Sequence, residues 1–246
     1  MADERSGDLT MLEAVFSPLG RAVPCTDAVV GWILAAIRAG SITHGEQLPN
    51  EIDLATQLGV APMTLRKALA ILRGRGLVET KRGRSGGSFV RASADTVNSL
   101  IQAHLLELTV EDLLDLGAEH CAIAGATASL AARRAVPAEV DRLRLLAQRL
   151  VASDDPVCNR YTDRRFQIEV AVCSQSMRLT RAQVHLQAEL SPLKWLPELA
   201  VDVKVEAAGH LALVDAIQAE DDEAARWLAE SHSAATIRQL VALRTK

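Results

Sequence analysis

The sequence predicts two folds joined in one chain: a small head of three short helices closed by a β-hairpin, then a long bundle built of helices alone. Three observations carry this prediction. Apolar residues recur at helical spacing in short stretches between residues 26 and 73; the period then switches to two over residues 77–90; strand signals disappear after Arg91.

Residues 1–24 lack sustained periodicity, contain Pro18 and Pro24, and read as an N-terminal tail. Thr26-Asp27 is suited to cap a first helix with Val29, Val30, Ile33, Leu34 and Ile37 on one face, and Gly40 ends it. Asn50 caps a short second helix from Glu51 to Leu58, stopped by Gly59. Pro62 opens a third, where its missing N–H costs nothing, and Leu65, Ala68, Leu69 and Leu72 form its apolar stripe up to Gly74 and Gly76. Leu77–Thr80 and Ser88–Val90 read as two strands joined by the basic, glycine-rich loop KRGRSGG. Three short helices and a basic hairpin is the order of a winged helix-turn-helix, which takes residues 25–91.

From residue 92 to 246 the pattern is helical throughout. Helices are expected over Asp95–Leu108, Val110–Ala135, Ala138–Val151, Asp155–Ser174, Leu179–Leu190, Val201–Glu220 and Asp222–Leu243, punctuated by Ser93, Pro137, Ser153, Pro192 and Pro197. Short connections between them imply an all-α antiparallel bundle.

Composition narrows the function classes. Hydrophobic residues make up 49% of 246, enough for real cores, but no apolar run is long enough to span a bilayer. The start, MADERSGDLT, is acidic and polar, the opposite of a signal peptide. Cys25, Cys121, Cys158 and Cys173 show no C-x-x-C spacing, so they are expected to be small core residues of a cytoplasmic protein. Charge is unevenly spread: residues 21–91 hold 10 Lys and Arg against 5 Asp and Glu, whereas residues 92–246 hold 16 against 22. A basic head on an acidic body fits a nucleic-acid-binding module joined to a domain that does not touch nucleic acid.

From LPNEIDLATQLGV through TLRKAL and GLVE to RGRSGGSFV, the head resembles the GntR superfamily of transcription regulators. The resemblance implies that Glu51–Leu58 braces a reading helix, Pro62–Arg73, in the major groove of double-stranded operator DNA. It further implies a role for Arg66 at phosphate or base, assisted by Thr64. The residues agree, since Thr64, Arg66, Lys67 and Arg73 lie off the leucine stripe, and Lys81, Arg82 and Arg84 in the wing suit neighbouring phosphates. Two departures stand out: relatives often carry Arg where this chain has Ile52, and Ser-Arg where it has Ala61-Pro62.

The helical region resembles the FCD effector domain of the FadR-like branch, through SLAARRAVPAEVDRL, Asp163–Gln167 (DRRFQ), CSQSMRL and GHLALVDAIQAEDDEAARWLAESH. That resemblance implies a homodimer that senses a small metabolite, an organic acid among the candidates, and acts as a ligand-responsive repressor on a palindromic operator. It also implies a divalent metal of the zinc or nickel class, held by Asp163, His210 and His232. The family's Asp-x-x-Phe-His ends here in Gln167, a poor substitute for imidazole, so the alternative is a metal-free cavity lined by the same residues. By the same alignment His120 stands where relatives carry a cavity arginine, which places His120 and Gln167 in the effector pocket. Geometry supports convergence: Asp163 and Gln167 are one turn apart on a face shared with Phe166, Val170 and Ser174, while His210 lies with Leu213, Val214 and Ile217. Two other classes are weighed. An effector-independent architectural DNA-binding dimer would have the same head, and a metal-dependent enzyme could use the same two-histidine, one-carboxylate set. No G-x-S-x-G, P-loop or dinucleotide fingerprint favours the enzyme, and no membrane partner is expected.

Overall fold

The computed structural model describes residues 25–83 and 86–245, and these fall into two compact units that divide between Ile101 and Gln102. The expected tail, residues 1–24, and the wing residue Arg84 lie outside the described residues.

In the first unit, α1 (Thr26–Arg38), α2 (Glu51–Gln57) and α3 (Pro62–Gly74) precede an antiparallel pair, β1 (Val78–Lys81) and β2 (Gly87–Val90). Val29, Val30, Ile33 and Ile37 of α1 bury against Leu65, Ala68, Leu69 and Leu72 of α3, so the stripe read from spacing is the core contact. The cap of α2 is Asn50, whose Oδ1 accepts from the backbone N–H of Ile52 at 3.1 Å and of Asp53 at 2.9 Å. Gly59 then adopts φ +64°, a left-handed conformation that turns the chain into α3 without the steric penalty a Cβ would bring. Ala61 supplies no side-chain cap and Pro62 sits in the first turn, as the sequence implies. The cap expected at Thr26-Asp27 is not formed; α1 starts after Cys25, whose side chain caps nothing. Val78 pairs with Val90 and Lys81 with Gly87, and the segment before α2 extends this ribbon through Leu48 N–H to Ser88 C=O (2.8 Å) and Val90 N–H to Glu46 C=O (2.9 Å).

α4 (Ala94–Glu107) contains the division between the units, whereas the sequence places the domain boundary at residue 92. The second unit is a bundle of α5 (Val110–Arg134), α6 (Pro137–Val151), α7 (Pro156–Cys173), α8 (Met177–Lys194), a 3-10 turn (Pro197–Leu199), α9 (Val203–Gln218) and α10 (Asp222–Arg244). Helix starts follow side-chain chemistry: Thr109 and Asp112 form a reciprocal capping box on α5, and Asp155, Asp202 and Asp221 cap α7, α9 and α10. α10 runs along α5, and the approach is close because Gly117 faces Ile237: a Cβ there would lie 2.7 Å from Ile237 Cγ1. The core gathers Ala124, Ala128 and Ala131 of α5, Leu143 and Ala147 of α6, Phe166 and Val170 of α7, Val214 and Ile217 of α9, and Ala225 of α10.

Two expectations are corrected. Pro192 does not end its helix; α8 continues through it to Lys194. Proline removes one intrahelical bond, but Ser191, Leu193 and Lys194 are all buried, and packing holds a turn that local propensity would release. The cysteines are not uniformly core: Cys173 is buried, Cys121 is partly buried, and Cys25 and Cys158 are exposed near the starts of α1 and α7. All four are free thiols.

Candidate functional site

On the head, α3 turns its leucines inward and leaves Arg66, Lys67 and Arg73 on the opposite, exposed side, with Thr64 half-buried at the first turn. Arg66 keeps 59% of its side chain exposed while its Nε donates to Glu51 Oε2 at 2.8 Å, which leaves its terminal amines for another acceptor. Arg73 is turned toward the hairpin, where Nη1 donates to Thr80 Oγ1 at 2.8 Å; it fixes the wing against α3. In the wing, Lys81 lies 3.3 Å from Glu79 and 4.5 Å above the Phe89 ring, and Arg82 is exposed. Ile52 and Met63, both well exposed, add apolar surface on α2 and at the start of α3.

In the bundle, α7 brings Asp163 and Gln167 to the centre, α9 brings His210, and α10 brings His232. His210 Nε2 lies 3.1 Å from Asp163 Oδ1 and 3.4 Å from the Gln167 amide, its ring stacks on Phe166 at 4.0 Å, and the His232 ring centroid is 5.7 Å away. The four residues singled out from spacing therefore meet. His120 of α5 is buried beside them and pairs through Nε2 with Gln187 of α8 at 3.3 Å.

Three further residues share this centre, and spacing did not reveal them. Lys194, the last residue of α8, places its ammonium 3.1 and 3.2 Å from the two Asp163 oxygens, 2.7 Å from Glu206 Oε2 and 3.1 Å from His232 Nε2. Trp195 Nε1 donates to Asp163 Oδ2 at 2.8 Å. Burial by itself would raise the Asp163 carboxyl, but Lys194, His210 and Trp195 hold it well below the usual carboxylate range. Burial by itself would lower the Lys194 ammonium, but Asp163 and Glu206 hold it above an ordinary lysine. His232 is pushed well below an ordinary histidine, first by burial and then by the Lys194 charge, so its Nε2 is a neutral acceptor for the ammonium.

A divalent ion does not fit this arrangement. Among the described residues, Glu206, His210 and His232 present ligand atoms within 4.8 Å of one another, a spacing that could surround a metal. The Lys194 ammonium is bonded to two of them, and its charge would oppose a divalent ion held by the same atoms at about 2.0–2.2 Å. Asp163, His210 and His232, the residues expected to hold a metal, converge here, and Lys194 shares the centre by bonding to Asp163 and His232.

His120 sets a pH limit. Burial, and secondarily the Lys194 charge, push its pKa from the ordinary 6.5 down to about 4. The unfolded chain then takes up a proton below pH 6.5 that the folded chain refuses until about 4, so stability is lost as pH falls through that window. The total is on the order of 3 kcal/mol, and His232 acts with the same sign. Urea unfolding of the full chain at pH 7.5, 5.5 and 4.5 should show the loss, and His120→Gln should reduce it, leaving the part due to His232. Equal stability of the unmodified protein at all three values would contradict the burial of a neutral His120.

Comparison with known proteins now places the chain. The family model described as "Bacterial regulatory proteins, gntR family" matches residues 26–90, and the FCD domain model matches residues 113–235. A protein of Mycobacterium gastri named as an HTH-type transcriptional regulator, RmpR, is 40% identical over 218 residues, covering 87% of this chain and 80% of its own length. This chain belongs to the GntR family. The regulator is also similar, at 31% identity over 217 residues, to a protein of Escherichia coli K12 named as an L-lactate dehydrogenase operon regulatory protein, with 84% of this chain and 83% of that one covered. A crystal structure of a GntR family transcriptional regulator from Pseudomonas syringae covers 100% of this chain and 97% of its own at a TM-score of 0.51; at 17% identity it speaks to the fold alone. The regulator is a winged helix-turn-helix with an all-helical FCD domain, a transcription regulator and not an enzyme. Among the described residues, no helix is long and apolar enough to cross a membrane.

Proposed function

We propose that this regulator is a ligand-responsive repressor that binds a palindromic operator as a homodimer in the cytoplasm, and that the FCD bundle senses a small polar metabolite. Thr64, Arg66 and Lys67 of α3 face the major groove, Lys81, Arg82 and Arg84 of the wing take flanking phosphates, and Arg73 supports the wing through Thr80. Ile52, where relatives often place an arginine, and the exposed Met63 offer apolar surface suited to thymine methyl groups.

The observation that carries the sensor reading is a set of buried polar atoms without protein partners beside the Lys194 cluster. His120 Nδ1, His210 Nδ1 and Ser191 Oγ are such atoms, and each leaves a desolvation cost of about 1–3 kcal/mol that a ligand or water would relieve. The cavity among His120, Gln167, Gln187, Ser191 and His232 is about 10 Å³, room for roughly a single water. A metabolite therefore binds a wider state of the bundle, and selecting that state is how it changes DNA affinity. The three ammonium protons of Lys194 are already engaged, so amide and hydroxyl groups, rather than a free cation, meet the effector.

Binding-site selection from a random duplex pool, with sedimentation of the complex, tests this reading. The expected outcome is an inverted repeat bound by two chains, and a polar metabolite that both raises the melting temperature and releases the duplex. A single half-site bound by one chain would overturn the dimeric reading. A dimer that no metabolite releases would favour an architectural DNA-binding protein.

A further inference from the structure

We infer that the Lys194 side chain is a built-in cation that takes the place of a metal ion at the centre of the bundle, so that the domain is assembled without metal. The inference rests on geometry and is independent of which effector binds.

Four helices meet at this ammonium: Asp163 from α7, Lys194 from α8, Glu206 from α9 and His232 from α10. Both Asp163 and Lys194 are buried, at 1% and 6% side-chain exposure, so neither is a solvated surface charge that strayed inward. An ammonium carries three protons in a tetrahedral array, and three acceptors surround it here: the Asp163 carboxylate, Glu206 Oε2 and His232 Nε2. This is what a small cation at a carboxylate–histidine site would receive, with hydrogen bonds of about 2.7–3.2 Å replacing shorter coordination bonds. The other changes in the set agree. Gln167 offers a neutral amide where an additional imidazole would strengthen metal binding, and its amide lies 3.4 Å from His210 Nε2. Asp163 is further satisfied by Trp195 Nε1 and His210 Nε2, so its oxygens already have their donors.

Lysine reaches this position because α8 runs through Pro192. The cation is therefore delivered by folding and does not depend on ion supply, which a metal-centred bundle would.

Zinc titration of tag-free protein tests the inference, with bound zinc read by competition with a chelating dye and melting temperature read in parallel. The unmodified regulator should bind no zinc at the cluster, and a chelator should leave its melting temperature unchanged. Lys194→Ala should gain a single zinc equivalent held by Asp163, Glu206, His210 and His232. Its affinity should rise by at least about a thousandfold, because the ammonium bonded to the ligand atoms, with its opposing charge, is removed. Zinc should also restore melting temperature to that variant, and adding His210→Ala should abolish both gains. If Lys194→Ala does not fold, Lys194→Ala with Glu206→Gln removes one uncompensated carboxylate and should show a smaller gain in the same direction, with zinc held by Asp163, His210 and His232. Stoichiometric zinc on the unmodified protein that is lost in His210→Ala would overturn the inference, as would a folded Lys194 variant with no new affinity.

Discussion

Asp163→Ala is expected to destabilise the bundle by about 3–5 kcal/mol, the cost of leaving a buried charge without its partner. In the native protein Asp163 receives hydrogen bonds from Lys194 and Trp195 at the end of α8 and from His210 of α9. Alanine would leave Lys194 with Glu206 and His232 and would orphan the indole N–H. At this size a change of that order lowers the melting temperature by roughly 10 °C, read as the transition of the helical unit. The effect is expected to couple to Lys194. With Lys194→Met already present, Asp163→Ala should cost far less, because the charge it would have stranded is gone. A double-mutant cycle measures this directly, and additive losses would show that the ion pair contributes nothing beyond packing. Asp163→Asn is the companion: it keeps the acceptor for Trp195 but loses the charge, and should fall between the two.

Arg66→Ala should weaken operator binding by on the order of 10- to 100-fold and reduce the slope of log K against log[salt] by about one, while the fold persists. Arg66 lies off the buried stripe of α3 with most of its side chain in solvent, so its loss opens no cavity. Its Nε is held by Glu51, which gives a second, opposite expectation. Glu51→Gln removes a negative charge beside the reading helix and should tighten binding and steepen the salt slope. Fluorescence anisotropy on a duplex recovered by selection reports both. Unchanged affinity in Arg66→Ala together with unchanged slope would mean that Arg66 only braces α2 against α3.

Features that depend on neighbours in the chain could be read from the sequence. Asn50 caps α2, Pro62 opens α3, and Leu65, Leu69 and Leu72 face the core because capping and helical periodicity act over three or four residues. Asp163 and Gln167 share a face for the same reason. Their meeting with His210 and His232 follows from the family pattern that places those residues, and the structure brings all four together.

What the sequence by itself could not decide is the charge at that meeting point. Lys194 follows a proline that local rules treat as a stop, and a lysine beside Pro192 reads as a solvated surface residue. Glu206, in the first turn of α9, reads as a favourable partner of the helix dipole and carries no sign of an inward role. Only the packing of α7, α8, α9 and α10 brings residues 163, 206 and 232 within hydrogen-bond reach of Lys194. Exposure of Cys25 and Cys158 and the turn of Arg73 toward Thr80 were settled in the same way. Helix propensity and capping are local energies, whereas the partners of the buried Lys194 charge are chosen by contacts between residues 12 to 38 positions apart, for which a single sequence carries no periodic signal.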